Sequence, residues 1–421
     1  MCSAQVRPLG DVVRLRTDKV VSKKNDQMPY LGLEHMASGS PHPTRVGRAA
    51  DSVSTNSVFS EGDILFGKLR PYLRKSATAP FDGYCSTDIL VLAPKADIVP
   101  SFAAHLLRSE LVFREATATA IGTRMPRTSW SGLKDLHVFV PHRREQRRIA
   151  DILDTLDDAI RKTEEIIAKL QQVKQGLLYD LLTWGIDENG ELRDPERDPE
   201  QFKETVLGRV PKEWRVVPLD ELLTRIEAGK SFSAPDYPAG QGEWGILKVS
   251  AVRPEGLQAA ENKTVTDSSL INPAYEVRPG DLLITRANTY ELVGMTCLAA
   301  DPPPRLLLSD KTLRLQLREG MAKDFVFHAS RMGFVRRQIE THATGSSGSM
   351  KNISQGAIRR LRFPLPSLVE QRKITSVLAA QDRLANRERQ NRAELSMLKQ
   401  GLMDDLLTGR VRVPEAEEAF A

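Results

Sequence analysis

The stretch "KQGLLYDLLTWG" at residues 174–185 returns as "KQGLMDDLLTGR" at residues 399–410, with eight of the twelve positions identical. Either copy alone reads as the end of an amphipathic helix. Two copies 225 residues apart read as an internal duplication. The same offset sets Glu145, Gln146 and Arg147 over Glu370, Gln371 and Arg372. It also sets Pro141 over Pro366, Ile149 over Ile374, Leu153 over Leu378, Asp157 over Asp382 and Leu170 over Leu395. Upstream, "GTRMPRTSWSGLKDLHVFVP" parallels "SGSMKNISQGAIRRLRFPLP". Nearer the start of each half only outlines match: "VRPLGDVV" echoes "VVPLDELL", and "EGDILFGKLR" echoes "PGDLLITRAN". Each half is therefore a variable globular region followed by a well-kept helical one.

The helical segments carry a 4,3 spacing. Ile149, Leu153, Leu156, Ile160, Thr163, Ile167, Leu170, Lys174, Leu177 and Leu181 follow it in the first copy. Ile374, Leu378, Gln381, Ala385, Glu388, Arg392, Leu395, Lys399, Leu402 and Leu406 follow it in the second. A 3.5-residue period marks a coiled-coil seam. The second seam is polar in its middle, where Val377, Leu384 and Leu398 are expected to add apolar contact. Helices of about 40 residues would be about 60 Å long. They are predicted to pack antiparallel on each other, with the globular regions at opposite ends. Gly176 and Gly401 lie inside these patterns, where glycine costs about 1 kcal/mol; a local kink near the helix end and a close backbone approach both fit. The predicted class is α/β (α+β): two domains with twisted sheets and two long antiparallel coiled-coil helices, related by a pseudo-two-fold repeat. The boundaries are 1–142 for the first domain, 143–185 for the first helical region, 186–207 for a polar linker, 208–366 for the second domain, 367–412 for the second helical region and 413–421 for a tail.

The chain has 421 residues, 40% hydrophobic and 27% charged, with net charge +5 and pI about 9.0. That is an ordinary globular composition with a mild basic excess, which permits a polyanionic partner. No apolar run is long enough to span a bilayer, and the start has no apolar signal core, so a cytoplasmic protein is expected. Cys2, Cys85 and Cys297 stand far apart, which argues against disulfides and structural zinc.

The two helical patterns, with "FKETVLGRVPKEWRVVPLDEL" between the halves, resemble the specificity subunit of type I restriction-modification enzymes. The likeness runs over nearly the whole chain and is strongest in the helices and in Phe202–Leu219. The resemblance implies a function. Each globular half would be a target-recognition domain reading one half of a bipartite double-stranded DNA site, and the helices would set the gap. The subunit would do no chemistry, holding no catalytic residue, metal or cofactor. It would recruit two methyltransferase (modification) subunits, which use S-adenosylmethionine to methylate adenine, and restriction/translocase subunits, which use ATP and Mg. The helices and their flanks, through Glu145, Gln146, Arg147, Leu153, Leu170, Gly176 and Leu177 and their copies Glu370, Gln371, Arg372, Leu378, Leu395, Gly401 and Leu402, would form the frame and the partner contacts. Glu145, Gln146 and Arg147 are read as exposed, either positioning those contacts or capping the helix.

The residues add detail. Residues 1–142 carry 18 Lys/Arg against 13 Asp/Glu, whereas 143–185 carry 8 against 8. In "FGKLRPYLRK", Lys68, Arg70, Arg74 and Lys75 surround Tyr72, a composition suited to phosphate and guanine. The matched stretch in the second half offers Arg286, Asn288 and Tyr290, and an Asn pairs with adenine. Ahead of each helix, Arg124, Arg127 and Thr128 are matched by Ser347, Ser349, Lys351 and Asn352. Lys248, with Tyr237 and Ser250, is a further candidate. For all of these an ordinary surface loop is the competing reading.

A DNA adenine methyltransferase is the rival suggested by "INPAY" (Ile271–Tyr275), which has one proline where that motif needs two. A duplicated DNA-binding regulator is another, without an evident helix-turn-helix or zinc motif. The chain shows no HExxH pair and no GxxxxGK[ST] loop.

Overall fold

The computed structural model describes residues 5–52, 54–345 and 350–413. The chain divides into two units. One takes the chain up to Ile167 together with the chain from Arg387 onward; the other is Ala168–Asn386.

In the first unit, a four-stranded antiparallel sheet has the order Val13–Leu15, Ile89–Pro94, Ile64–Gly67, Ser76–Thr78, its two central strands continuously apolar and buried on both faces. A five-stranded mixed sheet has the order Lys19–Val21, Thr55–Phe59, Gly83–Ser86, Pro29–Leu31, Gly47–Arg48. Leu31, Phe59, Leu65, Cys85 and Val91 form a core between strands of the two sheets. A second core joins Phe66, Phe102, Leu106 and Phe113 to Ile149 and Leu153 of the first long helix, Arg143–Thr183, and to Met403, Leu406 and Leu407 at the end of the second, Leu368–Leu406. A two-stranded ladder, Gln5–Pro8 with His137–Val140, leads into the helix start.

The second unit repeats the scheme. Its four-stranded antiparallel sheet runs Leu223–Ala228, Thr312–Leu317, Asp281–Thr285, Thr296–Ala299, the same order of connection as in the first. Arg215–Pro218 pairs with Arg362–Leu365 as Gln5–Pro8 pairs with His137–Val140. Its main core takes Leu181 and Leu182 from the end of the first long helix and Ile374 and Leu378 from the start of the second, around Trp214, Phe325 and Phe363. Mainly antiparallel sheets with segregated helices make the class α+β.

Within each unit the long helices run antiparallel. In the first, Asp157 pairs with Lys399 and Glu164 with Arg392, so one number rises as the other falls. In the second, Lys174 pairs with Asp382, seven residues before Leu181 joins Ile374 and Leu378 in the core. The 4,3 seam is the buried stripe: Ile149, Leu153, Ile374 and Leu378 are fully buried, and Thr163, Leu181, Ala385, Lys399 and Leu406 nearly so.

Three expectations change. Leu384 and Leu398 are 48% and 53% exposed, because they stand beside the seam rather than on it; only Val377 packs against a core. A Cβ at Gly176 or Gly401 would meet nothing within 4 Å, so no backbone approaches them among the described residues. The segment 186–207 is tied down: Ile186 is buried, and Phe202–Thr205 forms a hairpin with Gly208–Pro211.

The opening stretch ends its helices through glycine. Gly185 (φ 68°) and Gly409 (φ 75°) take the left-handed conformation that terminates a helix without steric cost. A side chain at Gly185 would collide with Glu370 and Trp214, and one at Gly409 with Phe139.

Candidate nucleic-acid interface

In the first unit, the link between strands Ile64–Gly67 and Ser76–Thr78 is short and tightly turned. Arg70 and Arg74 flank a single turn, Pro71–Leu73, both at positive φ (50° and 52°). This turn meets the second candidate loop. Arg70 N–H donates to the Pro126 carbonyl at 2.7 Å, Thr128 N–H to the Lys68 carbonyl at 3.0 Å, and Leu69 bridges Arg127. The Arg70 guanidinium reaches the Arg124 carbonyl at 3.4 Å. Two stretches more than fifty residues apart thus form one surface.

Their side chains divide into two groups. Lys68, Arg70 and Arg124 form no ion pair among the described residues, and Tyr72 beside them is 53% exposed. Arg74 is engaged by Glu110 and lies over the Phe113 ring, 5.5 Å from its centroid. Lys75 Nζ donates to the Leu33 carbonyl at 2.7 Å. Arg127 pairs with Asp88 at 2.9 Å, a contact that raises its pKa further. Thr128 is buried against Thr119, 3.0 Å away. The anchored four hold the loops; the unpaired three and Tyr72 are positioned to meet a polyanion.

The second unit brings its matched stretches together in the same way. Ala287–Asn288 forms an antiparallel ladder with Lys351–Asn352, and Ile353 N–H donates to the Arg286 carbonyl at 2.8 Å. Arg286 is half-buried without an ion pair among the described residues, and Tyr290 is 45% exposed. Lys351 Nζ donates to the Gly345 carbonyl at 2.5 Å. Asn288 is 7% exposed; its amide donates to the Val249 carbonyl at 3.1 Å and accepts from Thr289 N–H at 2.9 Å. In this conformation the Asn288 amide is committed to the turn. Lys248 pairs with Asp236 at 2.7 Å and holds that carboxyl below its usual range. Nearby, Tyr237 is exposed and Ser250 donates to Glu261 at 2.5 Å. Ser347 and Ser349 lie outside the described residues.

These placements give a graded expectation. Replacing both Arg70 and Arg124 by Ala lowers the slope of log affinity against log salt for target DNA by about 2, at about 0.9 per phosphate contact. Replacing Arg127, already neutralised by Asp88, lowers it by less than one contact's worth. Fluorescence anisotropy over a salt series on the assembled complex measures both.

The repeated Glu-Gln-Arg motif forms a joint in each unit. Gln146 accepts from Val99 N–H at 2.8 Å and donates to the Pro141 carbonyl at 3.0 Å. Gln371 does the same with Ala322 N–H at 3.0 Å and the Pro366 carbonyl at 2.9 Å. Glu145 receives Arg412 at 2.6 Å and Val413 N–H at 3.1 Å, both just past the second long helix. Glu370 receives Arg193 at 2.6 Å and Ile186 N–H at 3.0 Å from chain just past the first, and Trp214 Nε1 at 3.0 Å from beyond the hairpin that follows. Glu145 and Gln146 are therefore buried (8% and 2%), not exposed as expected, because they tie the helix start to its neighbours; Arg147 and Arg372 remain exposed. Arg193, Trp214 and Arg412 were not singled out from sequence. The signal for them was an acid repeated at one position of both helix starts, where a free carboxylate would be costly to bury.

Other candidates resolve into structure. His105, Asp154 and Asp157 lie close enough to hold a cation. Arg108 and Lys399 already occupy Asp157, and Ser101 and His105 occupy Asp154, so the group is an ion-pair cluster. In "INPAY", Asn272 caps the turn Pro273–Tyr275 by accepting from Ala274 N–H at 3.0 Å. Among the described residues no helix is long and apolar enough to cross a membrane.

Residues 3–172 match the model of the type I restriction modification DNA specificity domain. The EcoEI specificity subunit of Escherichia coli is 31% identical over 186 residues, 44% of this chain but only 30% of that subunit. The MjaVIII specificity subunit of Methanocaldococcus jannaschii is 24% identical over 97% of this chain and 93% of its own. Among solved structures, a chain from a type I R-M system studied for complex assembly and conformational transition aligns with TM-score 0.60, 21% identity and coverage of 98% of this chain and 99% of its own. The type I restriction-modification S subunit from M. genitalium aligns with TM-score 0.55, 14% identity and 96% coverage of both chains. These two establish the shared fold. With the matched domain in the first half, its internal copy in the second and relatives aligned end to end, the chain is similar along its whole length to type I restriction enzyme specificity subunits.

Proposed function

We propose that this chain reads a bipartite double-stranded DNA target, one half-site per unit, and that its helix pair sets the gap between them. The supporting observation is a repeated frame with unlike chemistry at the matched reading loops. Both units share sheet order, helix joint and a pairing of two distant loops. Yet Lys68, Arg70 and Tyr72 stand in one where Arg286, Asn288 and Tyr290 stand in the other. A symmetric frame carrying different readers suits a target with different halves. In this reading two modification subunits dock on the helices and flanks and methylate adenine with S-adenosylmethionine. Restriction subunits bring ATP-dependent cleavage, and the complex works in the cytoplasm. The chain itself supplies recognition; the family's cofactors belong to those partners.

Exchanging residues 1–142 for the first domain of another family member tests it. Methylome sequencing is expected to show one half of the methylated motif replaced, with the other half and the gap retained. Change in both halves, or in neither, sinks the assignment of one unit to one half-site.

A further inference from the structure

The two candidate loop surfaces differ sharply at one matched pair of positions. In the first unit the strand Ile89–Pro94 is preceded by Asp88, whose carbonyl accepts from Lys68 N–H at 2.9 Å. In the second the strand Thr312–Leu317 is preceded by Lys311, whose carbonyl accepts from Arg286 N–H at 2.8 Å. On the other side of that turn, Arg127 is bridged to Leu69 in one unit and Asn352 pairs with Ala287 in the other. Asn352 is also Arg127 shifted by 225 residues. Asp88 with Arg127 thus becomes Lys311 with Asn352. Asp88 and Arg127 satisfy each other through two contacts, at 2.9 and 3.3 Å. Lys311 and Asn352 cannot form an ion pair. Both are half-buried, and among the described residues neither side chain has a hydrogen bond or an ion pair. Asn288, the other amide of this surface, is held by Val249.

We propose that Asn352 and Lys311 are specificity-determining residues of the second unit: the Asn352 amide reads the edge of one adenine, and the Lys311 ammonium meets a phosphate beside it. This rests on the reading of the chain as a bipartite DNA reader. A carboxamide offers a donor and an acceptor side by side, the complement of adenine N7 and N6–H in the major groove. A lysine ammonium is a point charge with three donors, suited to a phosphate and indifferent to the base it carries. Both groups are free to engage DNA without breaking a bond inside the protein. Arg127 must first leave Asp88, which offsets most of what a new contact contributes.

Competition binding on the assembled complex tests this. The half-site that survives exchange of residues 1–142 is altered one base pair at a time. Asn352→Ala is expected to lose roughly 5- to 150-fold of discrimination at one A·T pair, with the other pairs and the other half-site as in wild type. Lys311→Met is expected to keep every base preference and to lower the slope of log affinity against log salt by about 0.9, one phosphate contact. Where Asn352→Ala does not assemble, Lys311→Asp combined with Asn352→Arg decides, because it installs the pair that the first unit already carries. That double variant is expected to lose both the A·T discrimination and the phosphate's share of the slope. Full discrimination at every pair without Asn352, a loss at a G·C pair instead, or an unchanged slope in Lys311→Met overturns the proposal. Failure of both Asn352 variants to assemble also overturns it, since the residue would then be structural. A wild-type complex with no bipartite preference would instead remove the underlying functional reading.

Discussion

Glu370→Ala is expected to destabilise the second unit by about 3–5 kcal/mol, the range for stripping one partner from a buried, hydrogen-bonded ion pair. Glu370 and Arg193 side chains are each 10% exposed, and the same carboxylate satisfies Trp214 Nε1 and Ile186 N–H. Removing it leaves a buried guanidinium and two buried donors unpaired. Domain stabilities are about 5–15 kcal/mol, so the loss is a large fraction of the total. The matched Glu145→Ala is expected to cost only about 1–2 kcal/mol, because the Arg412 side chain is 53% exposed and returns to water. Denaturant unfolding followed by tryptophan fluorescence measures both, Trp214 reporting its own environment. A Glu370→Ala loss below that of Glu145→Ala would show that the joint does not act through the buried charge.

The second large effect is an acid sensitivity centred on His328. Burial pushes its pKa down from 6.5 to about 4, Lys174 adding to the shift and Asp382 opposing it. The folded state therefore holds the neutral imidazole, while the unfolded chain takes up a proton below pH 6.5. Stability from this group is complete above pH 6.5, falls as pH drops from there to 4, and is flat below. At 1.36 kcal/mol per unit the total is about 3 kcal/mol. Carboxylates also contribute to acid unfolding, so the informative quantity is the difference between wild type and His328→Gln. Urea midpoints between pH 7.5 and 4 are expected to fall more steeply for wild type. Parallel curves would mean that the imidazole is hydrated in the folded protein. Burial also lowers the pKa of His105, the counterpart in the first unit.

The frame was legible in the sequence because it is periodic and was written twice. The 4,3 spacing located the seam, and the offset located both helices and the antiparallel pairing. The candidate loops were legible as composition, and the structure joins the two stretches nominated in each half. The side-chain roles within them were not. Arg70 and Arg127 look alike in sequence, but Asp88, 39 residues from Arg127, neutralises one and not the other. Asn288 looked like an adenine reader and is committed to Val249, equally far along the chain. The joints escaped for the same reason at greater range: Glu145 meets Arg412 across 267 residues, and Glu370 meets Arg193 across 177. Contacts of that separation have no local pattern. Only the repetition of Glu, Asp and Lys at matched positions announced them.

The division of the chain has a consequence for its biosynthesis. The second unit is contiguous, Ala168–Asn386, whereas the first closes its core only with Met403, Leu406 and Leu407 from the far end. The domain translated first is thus the last to be completed. Its seam face waits while 219 intervening residues are made, on the order of 10–45 s at about 5–20 residues per second. During that interval Ile149 and Leu153, fully buried in the finished protein, have no covering helix. A chain truncated at Asn386 would hold all of the second unit and leave the first one open. Holdase chaperones are expected to bind there, at residues silent in every assay of the mature complex.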